Sequence, residues 1–113
     1  MTDAIQVVTT AGNRDEADRI ARAVVKQRLA ACAQVSGPIE STYHWQGQIE
    51  TSQEWRCTFK TLRSHYANVE AAIRQGHSYD EPEILAIGVV AASAGYLDWL
   101  AAELADPTEL RSE

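Results

Sequence analysis

The sequence predicts an α+β fold: a four-stranded antiparallel sheet with two helices on one face, in the order βαββαβ, and a further helix at the C-terminal end. Three observations carry this. Residues 30–62 alternate with period 2 on either side of Gln46-Gly47-Gln48, the pattern of two long strands folded back on each other. Residues 14–29 and 65–75 place apolar side chains at helical spacing. Residues 84–92, ILAIGVVAA, form a continuous apolar run, as in a strand covered on both sides.

In chain order, residues 4–10 (AIQVVTT) are a short first strand centred on Val7 and Val8. Asn13 stands where a helix cap belongs, with Glu16 three residues on. The buried stripe of that helix is Ala17, Ile20, Ala21, Val24, Val25 and Leu29. The hairpin follows. Its first strand carries Ile39, Tyr43 and Trp45, and its second carries Trp55, Cys57 and Phe59. A register in which paired residue numbers sum to about 94 sets Trp45 against Ile49, Ile39 against Trp55 and Val35 against Phe59, and gathers large apolar groups on one face. Gly37-Pro38 interrupts the first strand; proline cannot donate to the ladder, so a bulge or an edge position is expected there. Ser64 is placed to cap a second helix over 65–75, with Tyr66, Val69, Ala72 and Ile73 inward and Gly76 at its end. Residues 77–83 (HSYDEPE) are a polar loop. Ser93 caps a last helix with Tyr96, Leu97, Leu100, Ala101 and Leu104 on one face. Asp106-Pro107 stops it, and the tail to Glu113 is expected to fray. With no repeat in the chain, residues 1–113 form one domain with its core over about 4–104. Two helices on one face of such a sheet is the ferredoxin-like arrangement, which hosts many functions.

The hairpin is long for its domain. A chain of 113 residues has an expected radius of gyration of about 13 Å, whereas a strand of roughly 13 residues spans about 43 Å. Its tip, with Tyr43, Trp45 and Ile49, should project beyond the core. A two-stranded ribbon is marginal alone, and exposed aromatics on an unpaired edge invite another chain. A homo-oligomer is the expectation, with Tyr43, Trp45, Ile49 and Trp55 at its interface. The alternative is a hairpin that curls over its own sheet.

Composition excludes several classes. A net charge of −6, with the basic residues dispersed among acids, gives no electrostatic drive toward nucleic acid. No apolar run approaches the roughly 18 residues of a membrane span. The start, Met-Thr-Asp-Ala-Ile, has no basic-then-apolar segment, so the expected location is cytoplasmic. Cys32 and Cys57 are not a Cys-x-x-Cys pair; both read as small buried hydrophobes on opposite faces of the ladder. No nucleophile elbow, Walker motif or Gly-x-Gly-x-x-Gly loop occurs. No catalytic residue and no required cofactor is expected.

Five stretches in register carry a family resemblance: Leu29-Ala30-Ala31-Cys32-Ala33, Ser41 to Gly47, Glu54 with Lys60-Thr61, His77 to Ile84, and Tyr96-Leu97-Asp98-Trp99. In order and spacing they resemble the CutA family, small proteins associated with divalent-cation tolerance, over about residues 4–104. The resemblance implies a homotrimer of ferredoxin-like subunits built through the long hairpins, with an architecture like that of PII signalling proteins. It also implies copper as the first metal to consider. Two of the family's three proposed copper ligands are absent: Thr9 stands where some members have cysteine, and Gly76-His77 where some have two histidines. Ser78 and Gly88 replace family prolines.

His77 is the best metal candidate, at the head of a loop with Tyr79, Asp80, Glu81 and Glu83. Thiolate and imidazole are what copper prefers, so one imidazole with carboxylates would bind weakly. The competing reading is a loop histidine that hydrogen-bonds at a subunit boundary, favoured because no second His or Cys lies at ligand spacing. His44 and His65 read as a solvent-facing or interfacial residue and a surface helix residue. A second constellation, Glu54, Lys60, Tyr79, Glu83 and Trp99, matches family positions; Glu54 and Lys60 project from one face of their strand. Together these five would line a cleft for a small polar ligand, or form an ion-pair network holding the trimer. The function expected is non-enzymatic and linked to divalent metal ions. The alternatives are a PII-like sensor of a small metabolite and a scaffold without a small ligand.

Overall fold

In a computed structural model of the chain, which describes residues 1–106 and 108, the sheet runs β2-β3-β1-β4 and every neighbouring pair is antiparallel. Its strands are β1 (Ala4–Ala11), β2 (Cys32–Trp45), β3 (Gln48–Leu62) and β4 (Ile84–Gly88). The helices are α1 (Arg14–Lys26), α2 (Tyr66–Gly76) and α3 (Ala94–Glu103). This is the α+β, ferredoxin-like order expected from the sequence, with β2 on an edge. The expected tail after Asp106 falls almost wholly outside the described residues.

One face of the sheet makes the core. Ile5, Val7 and Ala11 of β1 and Cys57 and Phe59 of β3 meet Ala17, Ile20, Ala21 and Val24 of α1 and Val69 and Ile73 of α2. The odd-numbered residues of β1 and β3 point this way because both strands keep an unbroken period of 2. Asn13 caps α1 as expected, its side chain accepting from the Glu16 amide at 2.8 Å. Val25 is exposed, and Leu29 is buried beyond the helix end.

The hairpin register differs from the expected one. The turn holds two residues, Gln46 (φ 51°) and Gly47 (φ 81°), both in the left-handed region that a tight hairpin turn requires. Trp45 therefore pairs with Gln48, His44 with Ile49 and Ile39 with Glu54. The ladder then shifts between Ser36 and Ile39, at Gly37-Pro38, so that Val35 pairs with Cys57 and Ala33 with Phe59. The bulge was expected; its consequence was not. Ala33 and Val35 share the core face with Cys57 and Phe59. Beyond the bulge Ile39, Tyr43 and Trp45 share the opposite face with Glu54, while Trp55 stays with the core. The expected apolar grouping is thus split between two faces.

Three other expectations need correction. Ser64 does not cap α2: it lies in a 3-10 turn, Arg63–His65, and its hydroxyl bonds to His65 Nδ1 at 3.0 Å. That turn swings His65 inward. The ring is 1% exposed, with Nε2 donating to the Ala105 carbonyl at 2.7 Å, and so ties down the chain after α3 instead of lying on the surface. The run 84–92 gives only five strand residues, and one side of it is bare. Ile84 packs on the core, whereas Leu85 and Ile87 are 42% and 52% exposed. They share the face of Val8 and Gln6, over part of which α3 packs.

The molecule measures 45 × 34 × 23 Å with a radius of gyration of 14.8 Å, above the value of about 13 Å expected for its length. No helix is long and apolar enough to cross a membrane among the described residues.

Candidate functional site

The 77–83 loop is fastened where β1 ends. The His77 side chain is fully shielded from solvent. Its Nε2 donates to the Thr10 carbonyl at 2.7 Å, and its Nδ1 accepts from the Tyr79 amide at 3.1 Å. A carbonyl only accepts and an amide N–H only donates, so these partners place the ring proton on Nε2. Glu16, 4% exposed, faces the same loop. Its carboxylate accepts from the Ser78 amide and the Ser78 hydroxyl, both at 2.9 Å, and Oε2 stands 3.3 Å from His77 Nδ1. Charge-assisted bonds in a shielded place hold the loop more firmly than the exposed pair Arg74–Glu81 at 3.3 Å.

The sequence marked Glu16 only as a helix-start residue. The signal for its second role was available: Glu16 lies at the N-terminal turn of α1, one turn from the core residue Ile20, so its side chain lies close to the buried stripe. A buried carboxylate needs donors, and Ser78 supplies two.

The fastened loop presents Tyr79, whose hydroxyl donates to Glu54 Oε2 at 3.0 Å. The Tyr79 phenol oxygen would lie 3.1 Å from a Cβ on Gly12, so Gly12 leaves Tyr79 its room. Burial, then the bond to Glu54 and that carboxylate's charge, push the Tyr79 phenol up to about 12. His77 and Tyr79 rings stack tilted with centroids 4.8 Å apart.

Of the five residues expected in one cleft, the structure brings only Glu54 and Tyr79 together. Lys60 lies six residues along β3 from Glu54, roughly 20 Å away, beneath Tyr96 and Leu100 of α3. Trp99 is 44% exposed and its ring meets Tyr96 at 5.6 Å. Glu83 is exposed, with no ion pair among the described residues. The interface candidates Tyr43, Trp45 and Ile49 are 40%, 56% and 70% exposed, while Trp55 is half-buried against the core and against Gly37.

For copper the fit is poor within one protomer. Both His77 nitrogens are engaged. Thr9 is fully buried beside Cys57, its hydroxyl without a partner, so a donor at that position would face the core. No group of three or more His, Cys, Asp or Glu stands ready to hold a metal ion among the described residues. Cys32 and Cys57 are free thiols on opposite faces.

The fold finds its counterparts in known proteins. A family model described as CutA1 divalent ion tolerance protein matches residues 5–103. The chain belongs to the CutA1 family. A divalent-cation tolerance protein CutA from Pectobacterium atrosepticum is 34% identical over 92% of this chain and 94% of its own length. The chloroplastic CutA of Arabidopsis thaliana is 33% identical over 85% of this chain; there, as in its rice counterpart, the match spans only about half of the relative's length. The crystal structure of CutA from Xylella fastidiosa superposes with a TM-score of 0.89 at 34% identity, covering 92% of this chain and all of the other. CutA1 from Oryza sativa also gives 0.89, at 30% identity over 91% and 94% of the two chains.

Proposed function

We propose that this CutA1 member acts as a non-enzymatic homotrimer in the cytoplasm, in divalent-cation tolerance, and that its working sites lie at boundaries between subunits. The uncovered sheet face carries this reading. Tyr43 and Trp45 on the arm, and Leu85 and Ile87 on β4, all point away from the core and are 40–56% exposed. Fully burying one such side chain is worth roughly 1.5–3 kcal/mol, so covering four of them would drive association strongly. A three-fold ring closes on itself and leaves no such face open.

Copper is the metal that the family resemblance suggests. With His77 committed to Thr10 and no cluster of donors among the described residues of one chain, a divalent ion would be shared between chains and held weakly, through exposed carboxylates such as Asp80 and Glu83. Sedimentation with and without copper or zinc tests both halves. The reading expects a trimer without metal and only weak metal uptake by it. A monomer that assembles only on stoichiometric metal would overturn it.

A further inference from the structure

The non-core face of the sheet contains a cation without a counter-charge. Lys60 is half-buried, and no carboxylate lies within 4.0 Å of its ammonium among the described residues. Gln6, its partner across the ladder on β1, is half-buried too, and its side-chain amide has no hydrogen bond among the described residues. Both line a cleft of about 90 Å³ roofed by Tyr96, Leu97 and Leu100 of α3. Leu100 is 1% exposed, so the roof is packed rather than loose. A cation with no carboxylate beside it offers its charge to an incoming anion. The chain carries 16 acidic residues against 10 basic ones, so an unclaimed cation here is not for want of acids in the sequence.

We propose that Lys60 and Gln6 form an anion subsite under α3 that takes a single carboxylate. The ammonium supplies charge, the Gln6 amide a second donor, and the apolar roof excludes water. The volume, about that of three water molecules, suits one carboxylate and a few attached atoms. This goes beyond the metal-tolerance reading and does not depend on it. The carboxylate comes either from a small organic acid or from an Asp or Glu of a second copy seated on this face.

Thermal unfolding of the full chain in sodium acetate or succinate, against chloride at equal ionic strength, tests the first source. Saturable stabilisation should appear in the natural protein and weaken about tenfold in apparent affinity in Lys60→Met, which keeps the apolar stem. Sedimentation across concentration tests the second. If a neighbouring copy supplies the group, acetate and succinate do nothing, and the Lys60→Met assembly dissociates at a concentration at least about tenfold higher while Lys60→Arg holds. Either pattern supports the subsite. Equal anion stabilisation of the natural protein and Lys60→Met overturns it, as does an anion-insensitive protein whose assembly is unmoved by the substitution. Should Lys60→Met fail to fold, Gln6→Met carries the test, and a response identical to the natural protein's in both assays overturns the proposal.

Discussion

The imidazole of His77 is bonded to the backbone of Thr10, Nε2 to carbonyl oxygen at 2.7 Å, and is thereby spent on holding a loop to a strand. His77→Ala should lose about 1–3 kcal/mol of stability in urea unfolding, because it leaves the Thr10 carbonyl and the Tyr79 amide unpaired. It should leave copper binding, measured by calorimetry, no weaker. A micromolar copper site that disappears in this variant would contradict the assignment.

Glu16 should matter to the loop as much as to its helix. Glu16→Ala removes the acceptor of two Ser78 bonds, and hydrogen exchange at Ser78 and Tyr79 should accelerate while exchange in β3 stays slow. The expected loss is roughly 2–3 kcal/mol, in the range for bonds to a charged group. Unchanged exchange in the loop would show that the carboxylate is dispensable.

Tyr79 should titrate late. Its phenol is pushed up to about 12 by burial and by Glu54. The folded form holds this proton more tightly than the unfolded chain does. Its contribution to stability is therefore complete below pH 10 and declines as pH rises from 10 through about 12. Ultraviolet titration should find the phenolate that forms at about 12 missing in Tyr79→Phe and shifted toward 10 in Glu54→Gln. The thiols divide in the same way. Burial, then Asp18 and Glu16, push Cys57 up to about 11, so a thiol reagent on the native protein should label Cys32 and spare Cys57.

Thr9→Val should stabilise the protein by up to about 1 kcal/mol, or leave it unchanged. The substitution removes a fully buried hydroxyl that has no partner and keeps its shape. A clear loss of stability would mean that the hydroxyl is bonded after all.

Much of this fold was legible because it rests on local periodicity. Asn13, Ser93 and the bulge at Gly37-Pro38 were readable from residue type and place alone. The register was not, because Gln46-Gly47-Gln48 suits a loop of two residues or of three, and the choice shifts the pairing by one residue. That single difference moved Ile39, Tyr43 and Trp45 to the face away from Trp55. His65 was misread, and the second role of Glu16 missed, for one reason: both are polar residues at helix starts whose partners, Ala105 and Ser78, lie 40 and 62 residues away. Lys60 shares a strand face with Glu54, as parity said, but parity carries no information on α3, which draws Lys60 into a different cleft.

The uncovered apolar face is the foundation of the functional reading, and mass in dilute solution tests it most directly. Native mass spectrometry or sedimentation at nanomolar concentration should give three times the 12.4 kDa of one chain, and Trp45→Ser with Ile87→Ser should lower it. A folded species of 12.4 kDa from the natural sequence at that dilution would contradict the account.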